Sequence, residues 1–521
     1  MAKSGGRGRR GRRPVIEVNL NELDGIVDAA VERPITTEDA GKLKSALHAM
    51  AQLLPPEPRT SEKTAEVLPS DESQAGEVGE PKPKKRRGHG RNGASAYTGA
   101  TQVALKNPDG TTGTLCPECQ KGKLYPMKEP RTLVRLVGAM PIQGTRYDIE
   151  RHRCNCCGHT LEAPLPEGVS EEKYDETVVS AIAELKYGGG FPFYRLDQMQ
   201  SLLGVPLPAA TQWELVEQGA VLLKPALEEL TRLAAQGDVM GNDDTRAQIL
   251  ALKRPDGDKR TGTFTTGIVS HYQGRQIALF ITGPQHAGEN VGDLLKQRAE
   301  GLDPPILMSD ALSRNFPKGV REGVDILWAN CIAHGRRHFV DVTTSFPDEC
   351  RYVLGALGQV YGTDKEARDQ DLSPEQRLEL HQAKSGPVMA ELHAWMTEQL
   401  DLNLVEENSG LGKALKYMLN HWERLTLFLR KAGAPLDNNR VERALKKAVL
   451  NRKNSYFFLT MNGAQVGDLY LSMIKTCELN GVNPFHYLTE LQRHATELAV
   501  APGDWMPWNY LETLAPADGS G

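Results

Sequence analysis

Apolar residues change their spacing several times along this chain. Leu23, Ile26, Val27, Ala30 and Val31 recur at helical intervals, and so do Leu43, Leu47, Met50 and Leu54. Thr36 and Asp39 stand ahead of the second run in the arrangement of a capping box. Neither stripe is wide enough to hold alone, so the pair predicts a helical hairpin or a coiled-coil-like association. The helical period returns over residues 170–236. There "DETVVSAIAELKY" predicts one helix, and "RLDQMQSLLGVPLPAATQWELVEQ" predicts a helix, a turn at Gly204 and a second helix presenting Thr211 and Gln212. That pattern suits a helix-turn-helix and an ordinary helical hairpin alike.

After Gly237 the period shortens. "DVMGNDDTRAQILAL", "TGTFTTGIVSHY" and "RQIALFITG" read as three strands joined by short turns. "GENVGDLLKQRAE" reads as a helix, "PPILMSDALSRN" as a strand ending in Asp310, and "DILWANCIAH" as a further strand leading into "GRRHF". Three antiparallel strands, then helix, strand, helix and strand, is the order of a ribonuclease H-like α/β domain, a topological likeness that fixes no function. Helical periodicity resumes in "LSPEQRLELHQAKSGPVMAELHAWM".

The 521 residues are enough for several domains. With 25% charged residues, 39% hydrophobic residues and a net charge of −5, the chain is not globally basic, so any nucleic-acid surface must be local. Lys3, Arg7, Arg9, Arg10, Arg12 and Arg13 lie among glycines in a basic arm. Residues 55–100 combine prolines, an acidic stretch and "PKPKKRRGHGRNG", which predicts a linker without a core. Lys84, Lys85, Arg86, Arg87 and Arg91 there suit phosphate contact and a solvated linker equally. No run of about eighteen apolar residues and no secretory signal occurs.

Five of the eight cysteines lie between Cys116 and Cys157, which favours a reduced compartment with one metal knuckle over a disulfide framework. Cys116-x-x-Cys119 and Cys154-x-x-Cys157 supply two thiolate pairs, as a tetrahedral zinc ribbon requires, with Cys156 and His159 as spare ligands.

Three acids suggest chemistry. Asp243 and Asp244 lie in the first strand of the core and Asp310 at the end of the fourth, which would be its neighbour. Paired carboxylates repel unless a divalent cation joins them, and oxygen-only ligands suit Mg²⁺ or Mn²⁺. A third acid is expected on a later helix. Glu442 stands alone among Arg440, Arg443, Lys446 and Lys447 in "PLDNNRVERALKKAVLNRKNSYFF". Asn439-x-x-Glu442 is also a capping-box spacing, so capping and metal binding stand level for Glu442 on spacing alone. His334, Arg336 and Arg337, after the fifth strand, suit DNA contact, support of the acids or structural ion pairs.

"GNDDTRAQIL", "LMSDALSRNF", "CIAHGRRHF", the 435–458 block just quoted, "TCELNGVNPFHYL" and "MPWNY" together resemble successive blocks of the insertion sequence 66 transposases. "KYGGGFPFYRLDQMQSLLGV" and the zinc knuckle resemble upstream blocks of that family, so the likeness runs from about Gly88 onward. It implies a DDE transposase: a ribonuclease H-like core holding two Mg²⁺ (or Mn²⁺) ions on Asp243, Asp310 and Glu442, and one structural Zn²⁺ on Cys116, Cys119, Cys154 and Cys157. This sequence reads "DDT" where the family usually has Asp-Glu-Thr. Asp243 is therefore taken as the ligand, with Asp244 its rival on the opposite face of the strand.

The implied activity is cleavage at element ends and transfer of the 3′-hydroxyls into target DNA by a bacterial, cytoplasmic, nucleoid-associated protein. It would act as a homo-oligomer, with accessory proteins of the same element as further partners. DNA contacts would come from Lys84, Lys85, Arg86, Arg87, Arg336, Arg337, Arg440, Arg443, Lys446, Lys447, Arg452 and Lys453. A catalytically silent DNA-binding regulator and a nuclease without joining activity are the alternatives. The expected fold class is multidomain α/β. Its parts are a basic arm with a helical hairpin or coiled-coil-like segment (1–54), a disordered charged linker (55–105), a zinc-binding DNA-binding domain (106–166), a helix-turn-helix-like region (167–236), the first part of the core (237–340), a helical insertion (341–432), the Glu helix and end of the core (433–495) and a C-terminal tail (496–521).

Overall fold

The computed structural model describes residues 141–153, 160–252, 262–317, 319–320 and 324–515, with single residues or short pieces inside 36–43 and 113–125. Two compact units are present, one of residues 1–70 with 144–521 and one of residues 71–143. In the smaller unit an antiparallel bridge joins Leu115 to Lys123. In the larger one, Thr36 Oγ1 accepts the Asp39 N–H at 3.2 Å, the cap bond expected of a helix start, and donates to the Asp39 carboxylate at 2.7 Å.

The larger unit continues with a short antiparallel pair, β1 (Arg151–Arg153) and β2 (Thr160–Glu162). Helix α1 (Glu176–Ala183) begins where Asp175 accepts the N–H groups of Thr177 and Val178, and it runs on into a π-helical turn, Glu184–Gly188. Helices α2 (Phe193–Leu202) and α3 (Ala209–Ala234) follow, with Gly204 in the left-handed region between them. The second of these helices does not present Gln212. That side chain is fully buried, and its Nε2 donates to the Phe193 and Leu207 carbonyls, tying down the α2–α3 turn. With Val216, Leu223 and Leu230 also buried, α3 is a core helix and not a projecting recognition helix.

Five strands form the central sheet: β3 (Val239–Ala247), β4 (Thr263–Tyr272), β5 (Arg275–Gly283), β6 (Ile306–Ser309) and β7 (Leu327–Asn330), with α4 (Ala287–Leu295) between β5 and β6. Their order is β5-β4-β3-β6-β7. The first three are antiparallel, and β6 and β7 run parallel to β3. Between β6 and β7, where a helix was expected, the described residues form only a 3₁₀ turn, Ser313–Asn315. The last strand is also shorter than its apolar run. It stops at Asn330, and "IAHGRRHF" already belongs to α5 (Ile332–Val342).

The insertion is helical as expected. It consists of α6 (Pro347–Asp369), α7 (Pro374–Asp401), α8 (Gly410–Asn420) and α9 (Trp422–Leu425), whose buried side chains share one cluster with β6, β7 and α5. It is tied to the residues before the next helix, because Arg377 pairs with Asp364 at 2.7 Å and also donates to the Ala434 carbonyl at 2.8 Å. Helix α10 (Asn439–Ser455) then returns to the sheet.

Helix α11 (Met461–Leu479) covers the β5 edge. Asp468, Ser472, Thr476 and Asn480 accept the outward N–H groups of Thr282, Phe280, Ala278 and Gln276 at 2.6, 2.9, 3.0 and 3.2 Å. Four helical residues rise about 6 Å and two strand residues about 6.7 Å, so the two ladders stay in step. The edge that would otherwise template another chain is thereby closed. The expected tail is not loose: α12 (Pro484–Arg493), α13 (Ala495–Val500) and α14 (Tyr510–Leu514) pack on the same body, with Trp505 and Tyr510 buried.

Candidate active site

Parallel pairing of β3 with β6 sets Gly241 beside Met308. Continued two residues, that register brings Asp243 level with Asp310, the first residue beyond β6. Helix α10 supplies the third acid, and two glycines let it approach. A side-chain carbon on Gly241 would meet Val441 at 2.7 Å, and one on Gly267, the β4 partner of Asp243, would meet Leu445 at 2.8 Å. Val441 and Leu445 fill those gaps, and Glu442 lies beside them.

Asp243 senses the other carboxylates. Burial pushes the Asp243 carboxyl up to about 6, and repulsion from Asp310, Asp244 and Glu442 adds to it, against the pull of the Asp244 N–H at 2.8 Å. Asp310 Oδ1 accepts the Leu312 N–H at 3.1 Å and the Asn315 side-chain amide. Asn242 donates to the Asn315 carbonyl at 3.0 Å, and Asn438 donates to the Asn242 carbonyl at 2.9 Å. Three asparagines thus link the start of α10, β3 and the Asp310 loop. They were missed in the sequence, where only the crowding of "DNN" and "SRN" around the acids could have signalled them.

Asp244 points elsewhere. Its side chain is 1% exposed, with Oδ2 2.9 Å from His286 Nδ1 and 3.2 Å from the Ala287 N–H at the start of α4. Glu442 is not part of a capping box. The cap residue is Asn438, without a side-chain cap, and Asn439 bonds to Asp437 instead. Glu442 Oε1 is buried and has no hydrogen-bond partner. Across from it, 3.8 Å away, His334 Nδ1 is likewise buried without a partner, and Cys331 Sγ completes a group whose three donor atoms all lie within 4.8 Å of one another.

The basic residues divide. Arg440, Arg443, Lys446 and Lys453 are exposed on α10, while Arg336 and Arg337 are half-buried on α5. Lys447 is used inside the fold, 2.6 Å from Glu478 and 2.9 Å from the Gly188 carbonyl, and Arg452 donates to Thr245 Oγ1 at 2.9 Å. Those two are structural cations in this arrangement. Cys119 is exposed. Cys116, Cys154, Cys157, Lys84, Lys85, Arg86 and Arg87 lie outside the described residues, as do the spare ligands Cys156 and His159. No described helix is long and apolar enough to cross a membrane.

Residues 172–466 match the family model described as "Transposase IS66 family", a span that contains Asp243, Asp244, Asp310 and Glu442. Two proteins of Sinorhizobium fredii are similar. Uncharacterized protein y4jD is 29% identical over 379 residues, covering 70% of each chain. Uncharacterized protein y4hP is 26% identical over 386 residues, covering 70% of this chain and 68% of its own.

Proposed function

Because the chain belongs to the IS66 transposase family, we propose that it is a DDE-type DNA transposase that cuts the ends of its element and joins the freed 3′-hydroxyls to target DNA. The observation that carries this reading is the register that sets Asp243, in the middle of β3, level with Asp310 just beyond β6, with Glu442 on α10 near enough that both acids repel the Asp243 charge, in a partly buried place where the Asp243 carboxyl is held up to about 6. The strand order supports a ribonuclease H-like core.

The donor set fits hard divalent cations, Mg²⁺ or Mn²⁺. All the ligands are carboxylate oxygens, Glu442 Oε1 has no other partner, and cations would relieve the repulsion on Asp243. Bound there, two such ions would lower the cost of negative charge on the attacking and leaving oxygens of a phosphodiester. Asn315 and the Leu312 N–H hold Asp310 in place, and the seating of α10 on Gly241 and Gly267 fixes Glu442. Exposed Arg440, Arg443, Lys446 and Lys453, with Arg336 and Arg337, would hold the DNA backbone. The cysteine pairs of 116–157 would form a zinc-bound module for element ends. Homo-oligomers would bring two ends together, and the site of action would be the bacterial cytoplasm.

The test is cleavage and joining in Mg²⁺ or Mn²⁺ on DNA carrying the element's own ends, with Asp310→Asn beside the wild type. Joined products that disappear in the variant are expected. Cut ends that never join would make the protein a nuclease, and DNA binding without cutting would make it a regulator.

A further inference from the structure

We propose that Cys331, His334 and Glu442 form a second metal site, one for a thiophilic ion such as Zn²⁺, and that its occupation inhibits the enzyme by drawing Glu442 away from Asp243 and Asp310. The inhibitory half rests on the catalytic reading above; the site itself does not.

The geometry comes from two elements. Cys331 is the residue before α5, His334 lies in its first turn, and α10 lays Glu442 against them. Sulfur, nitrogen and oxygen donors lie within 4.8 Å of one another, and His334 Nδ1 is 3.8 Å from Glu442 Oε1. That separation is too long for a hydrogen bond, yet both atoms are shut away from solvent with no other partner. A zinc ion at its usual bond lengths holds such donors about 3.3–3.6 Å apart, so the group needs to close by about 1 Å. His334 and Glu442 are 22% and 28% exposed at their side chains, which leaves them room to do so.

The donor types set the selectivity. A mixed sulfur, nitrogen and oxygen set suits Zn²⁺, whereas Mg²⁺ takes oxygen alone. The Cys331 thiol must lose its proton, and burial holds it up to about 12. The Asn438 N–H, 3.3 Å from Sγ, already favours the anion, and the metal supplies the rest. A fourth position stays open toward the exposed side of His334 and Glu442. With Oε1 committed there and a second positive charge nearby, the oxygen cluster loses affinity for Mg²⁺.

Metal content decides the site. Full-length protein is equilibrated with Zn²⁺, desalted and measured for zinc per chain beside Cys331→Ser, His334→Gln and Cys116→Ser. The first two variants should each hold about one zinc fewer than wild type, independently of any loss in Cys116→Ser. His334→Gln covers the case in which the buried Cys331→Ser misfolds. Unchanged zinc in a folded His334→Gln would overturn the site and leave a simple His334–Glu442 contact. Cleavage in Mg²⁺ with micromolar Zn²⁺ added tests the inhibition. Wild type should slow at least ten-fold and Cys331→Ser should not; equal slowing of both would overturn the inhibitory role. If the wild type cleaves nothing even without zinc, the transposase reading fails, and zinc content still supports or sinks the site.

Discussion

Asp244 Oδ2 lies 2.9 Å from His286 Nδ1, and the same oxygen accepts the Ala287 N–H that opens α4. Strand alternation then turns Asp243 to the other face, toward Asp310 and Glu442. Two adjacent aspartates therefore have opposite duties, one anchoring a helix and the other repelled by its neighbours. Asp244→Asn keeps one acceptor for Ala287 but loses the charge that faces His286. It is expected to cost about 1–3 kcal/mol of stability and to retain end cleavage. Thermal melting and a cleavage assay check both parts, and complete loss of cleavage in a folded Asp244→Asn would return it to the ligand set.

Asp243→Asn should behave in the reverse way. The fold holds the Asp243 carboxyl up to about 6, above its ordinary 3.8, so the folded state favours the protonated form. The corresponding stability is present below about pH 4 and is lost as pH rises through 6. At pH 7 the ionised group therefore destabilises the fold, on the order of 2–3 kcal/mol. Removing the charge should raise the melting temperature at pH 7, leave it nearly unchanged at pH 4, and abolish cleavage. A drop in melting temperature at pH 7 would show that the fold does not hold a buried, repelled charge at Asp243.

Much of this was legible beforehand. The strands, the acids and the helical insertion follow from period and composition, because burial on two faces or on one stripe writes itself into the spacing of apolar residues. Side-chain direction was not legible. Nothing in "NDDT" says which aspartate turns toward β6, since the answer depends on His286, forty-two residues away. The Asn439–Glu442 spacing was ambiguous for a similar reason: a capping box needs Asn439 as the cap residue, but the helix begins one residue earlier, with Asn438 as the cap and the Asn439 side chain bonded to Asp437. Gln212, at a helix start, reads as exposed, yet it is buried, its side-chain amide donating to the Phe193 carbonyl at the start of α2 and to the Leu207 carbonyl just before α3. The polar ladder of α11 was hidden because its residues read as breaks in an apolar helix until β5 lies beside them.

That ladder makes a prediction of its own. Ser472→Ala would leave the Phe280 N–H buried and unpaired, and Thr476→Val would do the same to Ala278. Each is expected to cost about 1–3 kcal/mol. The pair should also raise aggregation at elevated temperature, since β5 becomes an open edge. Chemical denaturation and light scattering measure the two effects. A double variant as stable and as monodisperse as wild type would mean that β5 is satisfied in another way.

The basic face of α10 should separate into two classes. Lys446 and Lys453 are exposed. Replacing each with Ala should lower the slope of log affinity for DNA against log salt by about 1 without changing the melting temperature. Lys447→Ala should instead lower the melting temperature, because Glu478 and the Gly188 carbonyl lose their shared cation. Replacing Lys84, Lys85, Arg86 and Arg87 together tests the linker on the same plot. A slope unmoved by all of these would remove α10 and the linker from the DNA surface.

Lys186 carries the last expectation. It lines a mostly apolar cavity of about 820 Å³ with Tyr187, Phe193, Trp213 and Phe458. Its ammonium donates to two neutral oxygens, Asn451 Oδ1 at 3.1 Å and Ser455 Oγ at 2.5 Å. Burial without a carboxylate beside it lowers its pKa to about 8 from 10.5. The unfolded chain therefore binds a proton that the folded chain gives up between those values, and this group adds stability as pH rises from about 8 to 10.5. Below pH 8 the buried charge costs on the order of 3 kcal/mol, offset in part by its two hydrogen bonds. Lys186→Met should accordingly gain stability relative to wild type at pH 7, and the gain should shrink steadily toward pH 10. Melting temperatures of the two proteins across that range measure the difference directly. A constant difference would mean that Lys186 keeps its proton in the fold throughout, held by a partner stronger than Asn451 and Ser455.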